Sequence, residues 1–284
     1  MKFYIIIPAH NEEAYLRETL TSISAQSLLP SQIIVVNDNS TDNTEAIVNE
    51  FMSKLPMLRK HNLQSEANHM PGAKVMQAFY KGYEQLDEGY DVIMKLDADI
   101  ILPPNYLQIL AKNFSVDNKL GMCSGLCYVK KGDAWVYEPV ADKKHIRGPI
   151  KAYSKACFKA IGGPKISIGW DTLDVLLAHY YGFSTKTIPE LRVKHLKPTG
   201  EAYSKKARFL QGKAMYKMRY GFILTFIASL KTAFSQKRPQ ALINNIIGYL
   251  KAKKENTTYL VNQKEGRYIR DYRYRGILKK LFGN

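Results

Sequence analysis

Between Phe3 and Leu96, short apolar runs alternate with stretches of helical spacing, and this alternation leaves few folds open. Near-continuous Ile/Val runs read as strands buried on both faces, and helices between successive strands build a mostly parallel sheet. Phe3 to Ile7, Gln32 to Asn37, Leu58 to Leu63 and Asp91 to Leu96 are the expected strands. Helices are expected from Glu12 to Gln26, from Asp42 to about Leu55, and from Pro71 to about Leu86. Asp42 and Glu45 have capping-box spacing, and Pro suits a first helical turn. The fold class is α/β, with a Rossmann-like, mostly parallel central sheet flanked by helices.

In open sheets of this kind, ligands bind beyond the carboxyl ends of the strands. Those ends here are Pro8-Ala-His-Asn-Glu-Glu13, Asn37-Asp-Asn-Ser-Thr-Asp42 and Asp97-Ala-Asp99, all expected to face one crevice. Asp97 and Asp99 lie two apart on an extended chain and point to the same side. Like charges so placed repel unless a cation sits between them, and a divalent ion is the natural candidate. The plain alternative is a solvated turn after a strand.

Beyond the aspartates the pattern is mixed. A helix is expected near Asn105 to Phe114, strands at Met122 to Lys130 and Ile146 to Tyr153, and a turn at Ile161-Gly-Gly-Pro164. Asp171 to Tyr181 has helical spacing and stops at Gly182, Thr185 to His195 is extended, and helices dominate after Thr199. Composition suits one large domain or a domain with an appendage: 284 residues, 45% hydrophobic and 24% charged, exclude a disordered chain. The longest apolar candidate, Gly221 to Leu230, is about half of what a membrane span requires. The start reaches Pro8, His10 and Glu12 too soon for a signal peptide, so a cytoplasmic location is expected. Cys123, Cys127 and Cys157 read as ordinary buried thiols, with no partner pair at zinc spacing.

Together, the motifs Phe3-Tyr-Ile-Ile-Ile-Pro-Ala-His-Asn-Glu-Glu13, Ile33-Ile-Val-Val-Asn-Asp-Asn-Ser-Thr-Asp-Asn-Thr44 and Asp97-Ala-Asp99 resemble the family 2 glycosyltransferases. These are inverting enzymes of the GT-A fold, and the likeness covers roughly residues 1 to 200. It implies that Pro8, Ala9 and Glu12 hold the nucleotide base and ribose, and that Asp38 accepts a hydrogen bond from the base. Asp97 and Asp99 would hold Mn2+ or Mg2+ against the donor diphosphate, with Ala98 between them. Lys74, near a helix start, is a candidate phosphate contact, and His10 could touch the donor.

The family uses an acidic general base, commonly Glu-Asp at the start of a late helix. Here Trp170 stands where Glu is usual and Asp171 where Asp is usual, so Asp171 is the expected base and Asp174 the second choice. Asp171 could instead be a helix cap. Trp170 could floor an acceptor sugar or be core. His195, ending an extended run, matches a position where related enzymes hold a His near the metal. The Gln-x-x-Arg-Trp motif of polymerising members has no counterpart near Arg208, Gln211 and Gly212, so single-sugar transfer is expected.

The expected organisation is a GT-A catalytic domain over 1–200, donor binding about 1–100 and the acceptor side about 101–200, then a basic amphipathic helical extension over 201–284. Residues 199–284 carry 19 Lys+Arg against 4 Asp+Glu, +15 of the chain's net +17. Basic residues interleaved with Tyr, Ile and Leu over 240–284 suit an anionic membrane surface, while a solvated basic face stays open. Partners are then a nucleotide-sugar donor, a glycan or lipid-linked acceptor and the inner face of the cell membrane, in surface polysaccharide or lipopolysaccharide assembly; nucleic acid is not expected. The rival functions are a non-catalytic basic membrane- or nucleic-acid-binding adaptor and a metal-dependent nucleotidyltransferase.

Overall fold

The computed structural model describes residues 1–65, 72–198, 209–235 and 237–283. Strands β1 (Phe3–Ala9), β2 (Gln32–Asp38), β3 (Leu58–Leu63) and β4 (Val92–Leu96) pair in parallel in the order β3-β2-β1-β4. Helices α1 (Leu16–Ser24), α2 (Thr44–Met52) and α3 (Ala73–Tyr83) connect them. The two-residue period of β1 divides the core. Phe3, Ile5 and Ile7 face the layer of α1 and α2, whereas Tyr4 and Ile6 face that of α3. Each such aliphatic side chain, removed from water, contributes about 1.5–3 kcal/mol.

The second half extends the sheet with a change of direction. After β5 (Ile100–Ile101) and α4 (Tyr106–Val116) come β6 (Leu120–Lys131), β7 (Ala134–Tyr137), β8 (Ile150–Ser154), α5 (Lys155–Ala160), α6 (Trp170–Tyr180) and β9 (Ser184–His195). β8 lies antiparallel to both β4 and β6, β9 runs parallel to β6, and β5 closes the edge on β9. Hairpin strand β7 and short helix α5 are additions to the sequence reading. Cys123, Cys127 and Cys157 are free and buried, and burial pushes their thiols up to about 12.

One local expectation changes. The capping box at Asp42 and Glu45 does not form: Asp42 accepts the amides of Glu13 and Thr44, and Glu45 turns to Lys60 and Asn62. The acids are used between elements rather than within one helix. The expected opening of α3 at Pro71 lies outside the described residues.

Four helices follow: α7 (Leu210–Lys217), α8 (Gly221–Ser235), α9 (Gln240–Lys254) and α10 (Gln263–Phe282). No described helix is long and apolar enough to cross a membrane. α7 and α9 cross at backbone distance: a Cβ on Gly212 would lie 1.9 Å from the Asn245 carbonyl oxygen, and one on Gly248 would lie 2.1 Å from that of Phe209. The buried face of α9 is therefore Asn245, Gly248, Tyr249 and Ala252, while Ile243 and Leu250, members of an apolar stripe at helical spacing formed by Leu242, Ile243, Ile246, Ile247 and Leu250, stay exposed. Asn262 and Glu265 cap α10 reciprocally, and Glu265 also accepts the Tyr181 hydroxyl at 2.8 Å, tying α10 to the end of α6.

Candidate active site

The loops after β1 and β2 are built for one another. Asn11 and Asn39 adopt left-handed backbone, with φ of 53° and 52°. The Asn11 amide donates to Ser40 Oγ at 3.0 Å, Asn11 Oδ1 accepts the Thr41 amide at 2.8 Å, and the Glu12 amide donates to Thr44 Oγ1 at 2.8 Å. The third loop is pinned from three directions. Thr19 Oγ1 on α1 donates to the Ala98 carbonyl and accepts the Ile100 amide; the Asp97 amide donates to the Pro149 carbonyl and the Leu196 amide to that of Asp99. These bonds fix the backbone at the three strand ends.

Two cavities meet at the aspartates. The first, about 440 Å³, is lined by Pro8, Ala9, His10, Glu12, Asp38, Lys74, Asp97 and Ala98, so the three polar clusters do share one crevice. The sheet order reverses between β1 and β4, and the crevice lies at their carboxyl ends, as the physics of open α/β sheets requires. His10 Nδ1 lies 2.5 Å from the Asp38 carbonyl oxygen, and Asp38 Oδ1 accepts the Ser65 amide at 3.3 Å. The second cavity, about 540 Å³, holds Asp171, Trp170, His145, Arg147 and His195. Asp97, Asp99 and Lys197 belong to both.

The acidic pair is unequally satisfied. Asp97 contacts the Lys95 ammonium. Asp99 is buried, and its Oδ1 has no hydrogen-bond partner. A buried bare carboxylate oxygen is costly unless a cation or donor reaches it, so this pair fits a divalent ion. Among the described residues no set of three His, Cys, Asp or Glu side chains encloses a metal. His195 Nε2 lies 3.4 Å from Asp99 Oδ2 and its Nδ1 2.9 Å from Glu138 Oε2. Burial lowers its pKa, but the two carboxylates outweigh burial and raise it to about 9.

The two candidate bases separate. Asp171 lines the second cavity, with Oδ2 3.8 Å from His145 Nε2. Burial would raise its pKa, but His145, Lys151 and Lys95 outweigh it and hold Asp171 below the usual carboxylate range, hence ionised. Gly169, at φ 75°, is the N-cap of α6 and no side chain caps the helix, so Asp171 is not spent as a cap. Asp174 lies one turn deeper, 1% exposed, and accepts from Lys151 at 2.7 Å and from the Tyr153 hydroxyl. It does not reach the cavity. Trp170 is mostly buried in the core and also lines the cavity.

Sequence reasoning passed over the cationic floor. Lys95 and Lys151 are direct cross-strand partners on β4 and β8, both buried, with ammonium groups 5.5 and 5.3 Å from the Trp170 ring centroid. Each reads as an interruption in a strand, and only the pairing brings them together beneath the acids. Lys197, 3.9 Å from Glu12, adds a third cation at the rim.

The Glycosyl transferase family 2 model matches residues 4–161. The chain is a family 2 glycosyltransferase. The enzyme is 27% identical over 120 residues to a poly-beta-1,6-N-acetyl-D-glucosamine synthase of Staphylococcus aureus, covering 42% of this chain and 27% of that protein. The chain spans less than half the length of the curated relatives it matches. Among solved structures, S. aureus TarS 1-349 in complex with UDP-GlcNAc superposes with a TM-score of 0.59 at 20% identity, over 79% of this glycosyltransferase and 66% of that chain. The mannosyltransferase PcManGT from Pyrobaculum calidifontis, in complex with GDP-Man and Mn2+, gives 0.59 at 15% identity over 98% and 81%. The fold is GT-A.

Proposed function

We propose that this glycosyltransferase moves one sugar from a nucleoside diphosphate donor to a hydroxyl of a glycan or glycolipid, with inversion and with Mn2+ or Mg2+ held at Asp97 and Asp99. The observation that carries the reading is the wall shared by the two cavities. The donor residues line one side and Asp171 the other, and the buried, unpartnered Asp99 oxygen stands between them. The nucleotide-sugar complexes of TarS and PcManGT, and the Mn2+ of the latter, support the same ligand class here.

The acceptor oxygen, approaching from the second cavity, forms a bond to the anomeric carbon and gives its proton to Asp171. The carbon–oxygen bond to the diphosphate breaks, and its electron pair leaves with the nucleoside diphosphate on the opposite side. One displacement with entry and exit on opposite faces inverts the centre. A bound cation supplies neutralisation of the charge growing on the leaving group. Lys95 and Lys151 keep the floor electropositive, and His145 and Lys151 hold Asp171 ionised.

The proposed organisation keeps residues 1–200 as the catalytic domain and 201–284 as the basic helical extension. The poly-N-acetylglucosamine synthase likeness supports surface polysaccharide assembly. Exposed Ile243, Leu250, Leu278, Leu281 and Phe282 among the lysines of α9 and α10 support peripheral contact with an anionic membrane, on its inner face. The test is transfer by Asp171→Asn and Asp174→Asn. Asp171→Asn is expected to lower kcat by about 10²–10⁴-fold with nucleotide affinity unchanged. Full activity of Asp171→Asn would remove it as the base.

A further inference from the structure

A third cavity, about 540 Å³, runs between α8 and α10. Its walls include Met215, Met218, Leu224, Ile227, Ile277 and Leu281, yet Lys231, Arg273 and Lys280 also line it. None of these three cations has a carboxylate partner among the described residues, and Arg273 Nε is buried with no hydrogen-bond partner. Gly169 and Thr172, which flank Trp170 and Asp171, line this groove and the acceptor cavity alike, so the two adjoin at the start of α6. The outer side of α8 exposes Phe222, Ile223, Phe226, Leu230 and Phe234.

We infer that the groove between α8 and α10 holds the lipid phosphate of a membrane-borne acceptor: the apolar chain lies along the wall of α8, and the phosphate on Arg273, Lys231 and Lys280. An apolar protein segment would leave three cations and the Arg273 Nε unanswered, and a nucleic acid would leave the methionine and leucine wall bare. A phosphate on a hydrocarbon chain satisfies both, and a groove that adjoins the acceptor cavity at Gly169 and Thr172 brings the attached sugar towards Asp171. The exposed stripe of α8 then seats the groove mouth at the bilayer from which such a lipid comes. This inference rests on reading the cavity of Asp171 as the acceptor site.

The test is calorimetric titration of the full chain with decyl phosphate below its micelle concentration, against decyl maltoside and inorganic phosphate. Two variants are used. Arg273→Gln removes the unpartnered donor. Gly276→Leu plugs the groove at a position where an added Cβ meets nothing within 4 Å. Decyl phosphate is expected to bind at least tenfold more tightly than either control, and each variant to weaken it about tenfold or more. Nucleoside diphosphate binding should be unchanged in both variants, which verifies their fold and separates this site from the donor cavity. Decyl maltoside binding as tightly as decyl phosphate, or undiminished decyl phosphate binding by both variants, would overturn the inference. Failure of the catalytic reading shows elsewhere, as full transfer activity of Asp171→Asn.

Discussion

Glu12 is a half-buried carboxylate whose Oε2 has no hydrogen-bond partner, and burial pushes its pKa up to about 7, with Lys197 opposing and Asp99, Asp97 and Asp42 adding to the rise. A carboxyl that holds its proton more tightly when folded contributes stability below its ordinary pKa and loses it as pH rises towards about 7. Glu12→Gln should therefore unfold later than wild type in urea at pH 8, by on the order of 1–2 kcal/mol after allowance for partial exposure, and show little gain at pH 4. The same variant should bind nucleotide more weakly. An equal stability difference at both pH values would contradict this account of Glu12. At this scale the acids were legible and the bases were not. Asp97, Asp99 and Asp171 break apolar or helical patterns at element ends, where chemistry concentrates. Asp171 and Asp174 sit three apart, on one helical face, and spacing alone cannot rank them. Lys151 and Tyr153, both delivered by β8, draw Asp174 into the core. Lys95 was hidden in the same way, its meaning set by a strand partner distant in sequence.

Helices and strands were legible as elements, but not which face each presents. The first four strands read correctly because a buried parallel sheet demands unbroken apolar runs. In α9 the apolar stripe misdirects: the helix docks through Gly248 and leaves Ile243 and Leu250 outside. Glycine there allows the α7 and α9 backbones to touch, a gain invisible in hydrophobic periodicity. Gly212→Ala or Gly248→Ala drives a methyl against a carbonyl that cannot yield cheaply, and should cost about 1–3 kcal/mol or more. Gly276→Ala, where nothing lies within 4 Å, should instead stabilise α10 by about 0.5–1 kcal/mol. Urea unfolding of the three variants gives opposite signs if the close crossing is real; the same sign for all three contradicts it.

For the whole molecule, charge is divided as sharply as structure. Of the net +17, +15 lies in residues 199–284, where α8, α9 and α10 also expose their apolar side chains. Each cation near an anionic bilayer is worth about 1 kcal/mol, screened by salt. Vesicles rich in phosphatidylserine should co-sediment the protein, neutral vesicles should not, and Phe226→Glu with Phe234→Glu should weaken binding about tenfold or more. Equal binding to neutral and anionic vesicles would contradict a basic docking face. Residues 1–198 are nearly neutral, and the proposed mechanism turns on the acidic pair between their two cavities. The most direct measurement is calorimetry of UDP, GDP, dTDP, CDP and ADP with Mn2+ and with EDTA, on wild type and Asp99→Asn. One nucleotide should bind wild type in Mn2+, lose most of its affinity in EDTA, and be equally weak on the variant in either. Binding indifferent to metal and to Asp99, or no binding by any of the five, would contradict the claim that Asp97 and Asp99 share a cation with a diphosphate.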